Sequence, residues 1–152
     1  MVAQEIIQVR DFKPSDMRKV MEIEHEAFKD PYPRSLLEHI RELHPDGFMV
    51  AEINGEIVGY IIGVMRWGGE GHILAVAVAP LYRRKGVGTS LMVNMMERLR
   101  REGANSIRIE ARASNEGAQE FYRKLNFKER KLVPSYYSDG EAAVLMRKKL
   151  QH

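Results

Sequence analysis

The chain has 152 residues, 44% of them hydrophobic and 30% charged, a size and balance that suit one globular domain with a single buried core. No apolar run approaches the roughly 20 residues of a membrane span, and a formal net charge of +3 is too small to define a partner by itself. Cysteine is absent, which excludes disulfides and thiolate chemistry and makes a reducing cytoplasm the expected setting.

The first residues, Met1-Val2-Ala3-Gln4-Glu5, lack the charged-then-apolar order of a secretion signal. Glu5–Arg10 alternates, with Ile7 and Val9 on one side, and reads as a first strand. Asp11-Phe-Lys-Pro-Ser-Asp16 turns into a helix whose stripe is Met17, Val20, Met21, Glu24, Ala27 and Phe28. Pro31 and Pro33 break it, because the residues before them disfavour helix. A second helix is expected over Ser35–His44 with Leu36, Ile40 and Leu43 inward, ended by Pro45-Asp-Gly47.

Phe48–Ile53 and Glu56–Met65 flank Asn54-Gly55, a pair that suits the type I′ turn of a hairpin. Arg66-Trp-Gly-Gly-Glu-Gly71 reads as a loop, and a third antiparallel strand starts at His72. Its β-branched run Ile73–Val78 stops at Pro80, which cannot donate to a ladder. Arg83, Arg84 and Lys85 follow, then Gly86 and Gly88, then Val87, Leu91, Met95 and Leu99 at helical spacing. That helix runs to about Arg101 and stops at Gly103. A strand over Ser106–Ala113 leads through Ser114-Asn115 into a helix over Glu116–Leu125, with Ala118, Phe121, Tyr122 and Leu125 on one side. Phe127–Val133 and Ala142–Lys149 are the last strands, joined through Pro134-Ser-Tyr-Tyr-Ser-Asp-Gly140. One mixed α/β domain over residues 1–152 is expected.

Strand, basic glycine-rich turn and helix start in that order form a phosphate cradle, since N–H groups at a helix start and adjacent cations both favour an anion. A dinucleotide fingerprint would place a third glycine where Leu91 stands, and a Walker loop would place its lysine after the second glycine rather than at Lys85. An ordinary basic helix start is the competing structural reading. Further basic clusters, Arg98-Leu-Arg100-Arg101 and Arg147-Lys148-Lys149, lack the interleaved aromatics of a nucleic-acid platform. Solvated faces are the expectation there, and nucleic acid is not an expected partner. No His-Glu-x-x-His pair is present, and no metal is expected.

Arg83-x-x-Gly86-x-Gly88 after a Val-x-Pro strand end resembles the pyrophosphate loop of the GNAT superfamily of N-acetyltransferases, which binds acetyl-coenzyme A (acetyl-CoA). The element order β-α-α-β-β-β-α-β-α-β-β is also that of the superfamily. It implies a splayed, mostly antiparallel mixed sheet of about seven strands flanked by about four helices. Glu110-Ala-Arg-Ala-Ser-Asn115, Phe121-Tyr-Arg-Lys-Leu-Asn-Phe127 and Tyr136-Tyr-Ser-Asp-Gly-Glu141 resemble the protein amino-terminal acetyltransferases, of the ribosomal-protein alanine type and the archaeal and eukaryotic Nα-type. The resemblance implies direct acetyl transfer to the N-terminal α-amine of polypeptides, ribosomal proteins among them, with nucleic acid met only through the ribosome, and leaves room for an auxiliary subunit; without an apolar run of spanning length, no membrane partner is expected.

Acetyl transfer to an amine requires that the amine lose a proton and that the departing thiolate receive one. Arg108, Glu110 and Arg112 share one face of their strand, opposite Ile107, Ile109 and Ala111. A polar face on a central strand implies a cleft, an exposed end or internal ion pairs. The resemblance gives the position of Glu110 the role of general base, direct or through water; the competing reading is a structural pair with an arginine. Tyr122, on the following helix, is the candidate acid, at a position that in the family points at the coenzyme sulfur; its alternative is a core aromatic beside Phe121 and Leu125. Asn115 stands where an N-cap belongs, and the resemblance adds a hydrogen bond to the pantetheine arm. His72 lies where relatives place a histidine or tyrosine near the amine, as a second proton acceptor, although a lone histidine is more often structural.

Val76, Ala77 and Val78 would meet pantetheine through their backbone, and Arg83, Arg84, Lys85, Gly86, Val87, Gly88 and Thr89 would hold the diphosphate. Phe28, Pro31 and Tyr32 between the early helices, with Tyr136 and Tyr137 in the last loop, would pinch the first residues of a polypeptide. Tyrosines suit this, offering hydroxyls and a flat apolar wall. Asp30-Pro-Tyr-Pro33 departs from both the Pro-Trp-Ser and the Pro-Glu-Asn of the relatives, so the resemblance assigns no preferred first residue. Two other functions compete: acetylation of a lysine side chain or small amine, and a ribosome- or RNA-associated module that binds coenzyme A without turnover.

Overall fold

The computed structural model describes residues 5–151; the leader reading at Met1–Gln4 lies outside the described residues. The elements are β1 (Ile7–Asp11), α1 (Met17–Ala27), α2 (Arg34–Leu43), β2 (Phe48–Ile53), β3 (Glu56–Arg66), β4 (Glu70–Val78), α3 (Val87–Arg101), β5 (Ser106–Arg112), α4 (Glu116–Lys124), β6 (Lys128–Val133) and β7 (Ala143–Lys149). They form one open seven-stranded sheet in the order β1-β2-β3-β4-β5-β7-β6. The β1–β2, β2–β3, β5–β7 and β6–β7 ladders are antiparallel, and β4 with β5 is parallel. The expected mixed, mostly antiparallel sheet with four helices is what the chain forms.

Two compact units divide the described residues: 5–63 with Ala75–Glu97, and Val64–Leu74 with 98–151. In the first, Asn54 (φ 51°) and Gly55 (φ 78°) make the tight turn between β2 and β3, as the type I′ hairpin requires. Phe12, Val20, Ile23, Phe48, Tyr60, Leu91 and Met95 are buried there, with the Phe12 and Phe48 rings stacked at 4.2 Å. Gly59 lets the start of α3 lie close against β3, since a Cβ there would stand 3.1 Å from both Val87 and Leu91 and 2.9 Å from the Ala77 carbonyl oxygen. In the second unit Ile107, Ile109 and Ala111 are buried on one face of β5, with Leu99, Phe127 and Met146 also buried in that unit.

Three local expectations are corrected. On α2 the buried residue is Leu37, while Leu36 is 38% and Leu43 61% exposed and Ile40 only half-buried; the helix carries an apolar stripe, but the fold covers only Leu37 of it. On α1 Ile23 is buried and Met21 is not. The stretch read as a loop to Gly71 is only a turn, and β4 begins at Glu70, because the polar Glu70 and His72 find partners on neighbouring strands.

Candidate active site

The polar face of β5 resolves into ion pairs. Glu110 projects from it with a side chain 7% exposed. Its Oε1 lies 2.6 Å from His72 Nε2 on β4 and accepts a 3.0 Å hydrogen bond from the Tyr136 hydroxyl of the last loop. Its Oε2 is buried without a hydrogen-bond partner, 3.2 Å from Arg108 Nε. Burial pushes the Glu110 carboxyl up, but the hydrogen bonds from His72 and Tyr136 and the charge of Arg108 outweigh it, leaving its pKa below the ordinary value. Glu110 is therefore a carboxylate at neutral pH. His72 is itself buried with both ring nitrogens engaged, Nδ1 lying 3.2 Å from Arg66 Nε and 3.1 Å from Arg108 Nη2.

Tyr122 is buried on α4, its ring tilted against Phe121 and Phe127 at 5.5 and 6.1 Å. It is not a member of the hydrogen-bonded set around Glu110. Burial, and then the nearby Tyr137 phenol, push its hydroxyl well above the ordinary tyrosine range, so it holds its proton throughout the neutral range. Asn115 caps α4, its Oδ1 accepting from the Ala118 N–H at 3.0 Å. Tyr137 lies edge-on to Tyr136 at 4.9 Å and under the Arg112 guanidinium at 4.1 Å. Arg112 in turn pairs with Asp139 and Glu141 at 3.0 and 2.9 Å. Hydrogen bonds from Ser114 and then Arg112 bring the Glu141 carboxyl down to about 2. The loop that presents both tyrosines is thereby tied to the end of β5.

The other set of expected residues lies in the first unit. Arg84 (φ 63°) and Gly86 (φ 87°) take left-handed backbone on either side of Lys85, a geometry that gathers N–H groups into a concave anion site. The helix starts at Val87, and its first bond from this loop is Ser90 N–H to the Gly86 carbonyl at 3.0 Å. The N–H groups of Val87, Gly88 and Thr89 are thus the unpaired first turn. Arg83, Arg84 and Lys85 are exposed around it; Arg83 Nε donates to the Val78 carbonyl at 3.3 Å, and Lys85 pairs with Glu5 at 2.8 Å. The loop fits a diphosphate. The β4–β5 ladder ends at Ile73↔Ile109, and Val76, Ala77 and Val78 follow its last pair on β4.

Of the expected substrate loop, Phe28 is exposed and Pro31 and Tyr32 are half-buried. The Tyr32 N–H donates to Glu24 Oε2 at 2.9 Å, and the Tyr60 hydroxyl donates to Oε1. Glu24 is 1% exposed, and burial holds its carboxyl above the ordinary range despite the hydrogen bonds from Tyr60 and Tyr32. Sequence reasoning placed Glu24 only in the helix stripe; the signal was a carboxylate among apolar stripe positions. Among the described residues no cluster of His, Asp and Glu could hold a metal ion, and no helix is long and apolar enough to cross a membrane.

An open sheet of this order, with a cationic loop opening the helix after its fourth strand, defines an N-acetyltransferase. The chain belongs to the acetyltransferase (GNAT) family, whose profile matches residues 17–127. It is 45% identical to an uncharacterised N-acetyltransferase of Methanocaldococcus jannaschii, over 93% of this chain and 90% of that one. It is 36% identical to the N-alpha-acetyltransferase of Sulfurisphaera tokodaii, over 91% of this chain and 90% of that one. The crystal structure of Ard1 from Thermoplasma volcanium superposes with a TM-score of 0.92 at 32% identity, covering 96% of this chain and 99% of that one. The protein is an acetyltransferase, and its acyl donor is acetyl-CoA.

Proposed function

We propose that the protein acetylates the N-terminal α-amine of polypeptides in the cytoplasm, with Glu110 as general base and Tyr122 as general acid. The observation that supports this most is the buried Glu110 carboxylate, whose Oε1 accepts from both His72 and Tyr136. Those bonds occupy Oε1; Oε2 makes no hydrogen bond and lies 3.2 Å from Arg108 Nε, so it keeps a lone pair for the amine proton, taken directly or through water. Acetyl-CoA supplies an acetyl group already activated as a thioester. The N–H groups that open α3 and the cations Arg83, Arg84 and Lys85 would hold its diphosphate. Tyr122 keeps a phenolic proton available for the departing sulfur. With no cysteine in the chain, the amine attacks directly rather than through a thioester on the enzyme.

The α-amine is favoured over a side chain by the tyrosines of the last loop. Tyr136 and Tyr137 are fixed at the same carboxylate and at Arg112, where they can take hydrogen bonds from the first peptide groups of a chain end. The N-alpha-acetyltransferase names of the archaeal relatives point the same way. The test is a library of short peptides varied at the first residue, each offered with acetyl-CoA in free and N-terminally blocked form. Acetylation of the free set alone is expected. Equal acetylation of blocked, lysine-containing peptides would assign the enzyme to lysine side chains instead.

A further inference from the structure

Neutral imidazole has one N–H donor and one acceptor nitrogen, whereas guanidinium only donates. His72 Nδ1 faces two guanidinium groups, Arg66 Nε at 3.2 Å and Arg108 Nη2 at 3.1 Å. Nδ1 is thus the acceptor, and the ring proton stands on Nε2, 2.6 Å from Glu110 Oε1. In the other tautomer a bare Nε2 would confront the carboxylate and the hydrogen bond would be lost.

Arg108 is the hub of this arrangement. The parallel register sets His72 beside Arg108, and the next ladder sets Arg108 beside Arg147, so the three form one row across β4, β5 and β7. Arg108 Nη1 donates to Glu70 Oε1 at 3.1 Å, and Arg147 Nη2 donates to Glu70 Oε2 at 2.7 Å. Glu70, neutralised from two sides, holds the Arg108 fork while its Nη2 reaches His72 and its Nε lies 3.2 Å from Glu110 Oε2. One guanidinium therefore touches the histidine, the carboxylate and the acidic anchor together.

We propose that Arg108, with Arg66, is a positioning residue for acetyl transfer: the two fix the His72 tautomer whose Nε2–H orients the Glu110 carboxylate. The proposal rests on Glu110 as the base, and gives His72 the part of an orienting donor rather than a second proton acceptor. The groups touching the histidine–carboxylate pair are Arg66 on β3, Arg108 on β5 and Tyr136 of the last loop, with Glu70 on β4 and Arg147 on β7 behind Arg108.

The test is nitrogen-15 NMR of His72 in the whole protein, assigned by its loss in His72→Gln, alongside steady-state kinetics. In the wild type the proton is expected on Nε2 alone. Arg108→Met should move a measurable fraction to Nδ1 and lower kcat about 10–100-fold, the range for loss of an orienting partner, with KM for acetyl-CoA unchanged. Arg108→Lys should recover only part of kcat, because an ammonium cannot reproduce the fork. Arg66→Met should shift the tautomer in the same direction, and it decides the matter with the wild-type spectrum should Arg108→Met not fold. A wild-type proton on Nδ1, or a tautomer unmoved in the arginine variants, overturns the proposal. If Glu110→Gln leaves kcat intact, the base assignment fails while the tautomer result still stands on its own.

Discussion

Replacing Glu110 by glutamine removes one proton acceptor and keeps the shape. In the favoured orientation the amide oxygen takes the place of Oε1 and goes on accepting from His72 and Tyr136. The amide nitrogen then occupies the place of Oε2, 3.2 Å from Arg108 Nε, donor against donor, and Arg108 loses one of its two carboxylate partners. A hydrogen-bonded charge lost in a buried site costs about 1.5–3 kcal/mol. For a chain of this length that is a fall in Tm of about 3–12 °C. The kinetic effect is larger: loss of a proton-transfer group lowers kcat about 10²–10⁴-fold, or about 2.7–5.4 kcal/mol of barrier.

The two effects part with pH. The folded pKa of Glu110 is depressed, so its stabilising contribution is present above the unfolded carboxylate range and is lost as pH falls through the folded value. The stability gap between wild type and Glu110→Gln should therefore close in acid, and the acid limb of wild-type kcat/KM should lie below the ordinary glutamate value of 4.5. Stopped-time peptide assays and thermal melts from neutral to acid pH measure both. A variant with the expected loss of Tm and unchanged kcat refutes the assignment of Glu110 as base.

Tyr122→Phe should lower kcat at least about 10²-fold with little effect on peptide KM, and because the phenol stays protonated well beyond neutrality it should leave the alkaline limb of the rate profile in place. Gly86→Val forces a β-branched residue into a φ of 87°, a strain of about 1–2 kcal/mol; calorimetry should find coenzyme A binding weakened about 5–30-fold, while melts show a loss no larger than the strain. Asp16→Asn tests the fold apart from the site. Asp16 is buried, its carboxyl raised by desolvation but lowered further by the Arg10 hydrogen bonds and the Lys13 N–H. The variant should lose about 1–3 kcal/mol at neutral pH, and the difference should vanish as pH drops below the folded Asp16 pKa.

The order of elements was legible because local chemistry marks many of the boundaries: Asn54-Gly55, the prolines at 31 and 33, Pro80 after the β4 run, Gly103 after α3 and Asn115 before α4. The alternation on β5 was legible too, and internal ion pairs were one of its three readings, beside a cleft and an exposed end. What those charges touch was not. Arg66 and Glu70 read as loop residues and His72 as a strand start until β5 and β7 lie beside β4 and each other, and pairings between residues so far apart in sequence leave no periodic trace. Gln119 is similar: it is buried on α4 because its amide donates to the Arg112 and Ala113 carbonyls, partners set by the end of another element. Glu24 hides in an apolar stripe for the same reason, its partners coming from β3 and the Tyr32 backbone.

The most direct measurement is tandem mass spectrometry of one peptide that carries both a free α-amine and an internal lysine, after incubation with acetyl-CoA and the wild-type enzyme. The account predicts acetyl on the first residue, none on the lysine, and a signal that collapses in Glu110→Gln. Acetyl on the lysine, or a full signal from the glutamine variant, would contradict it.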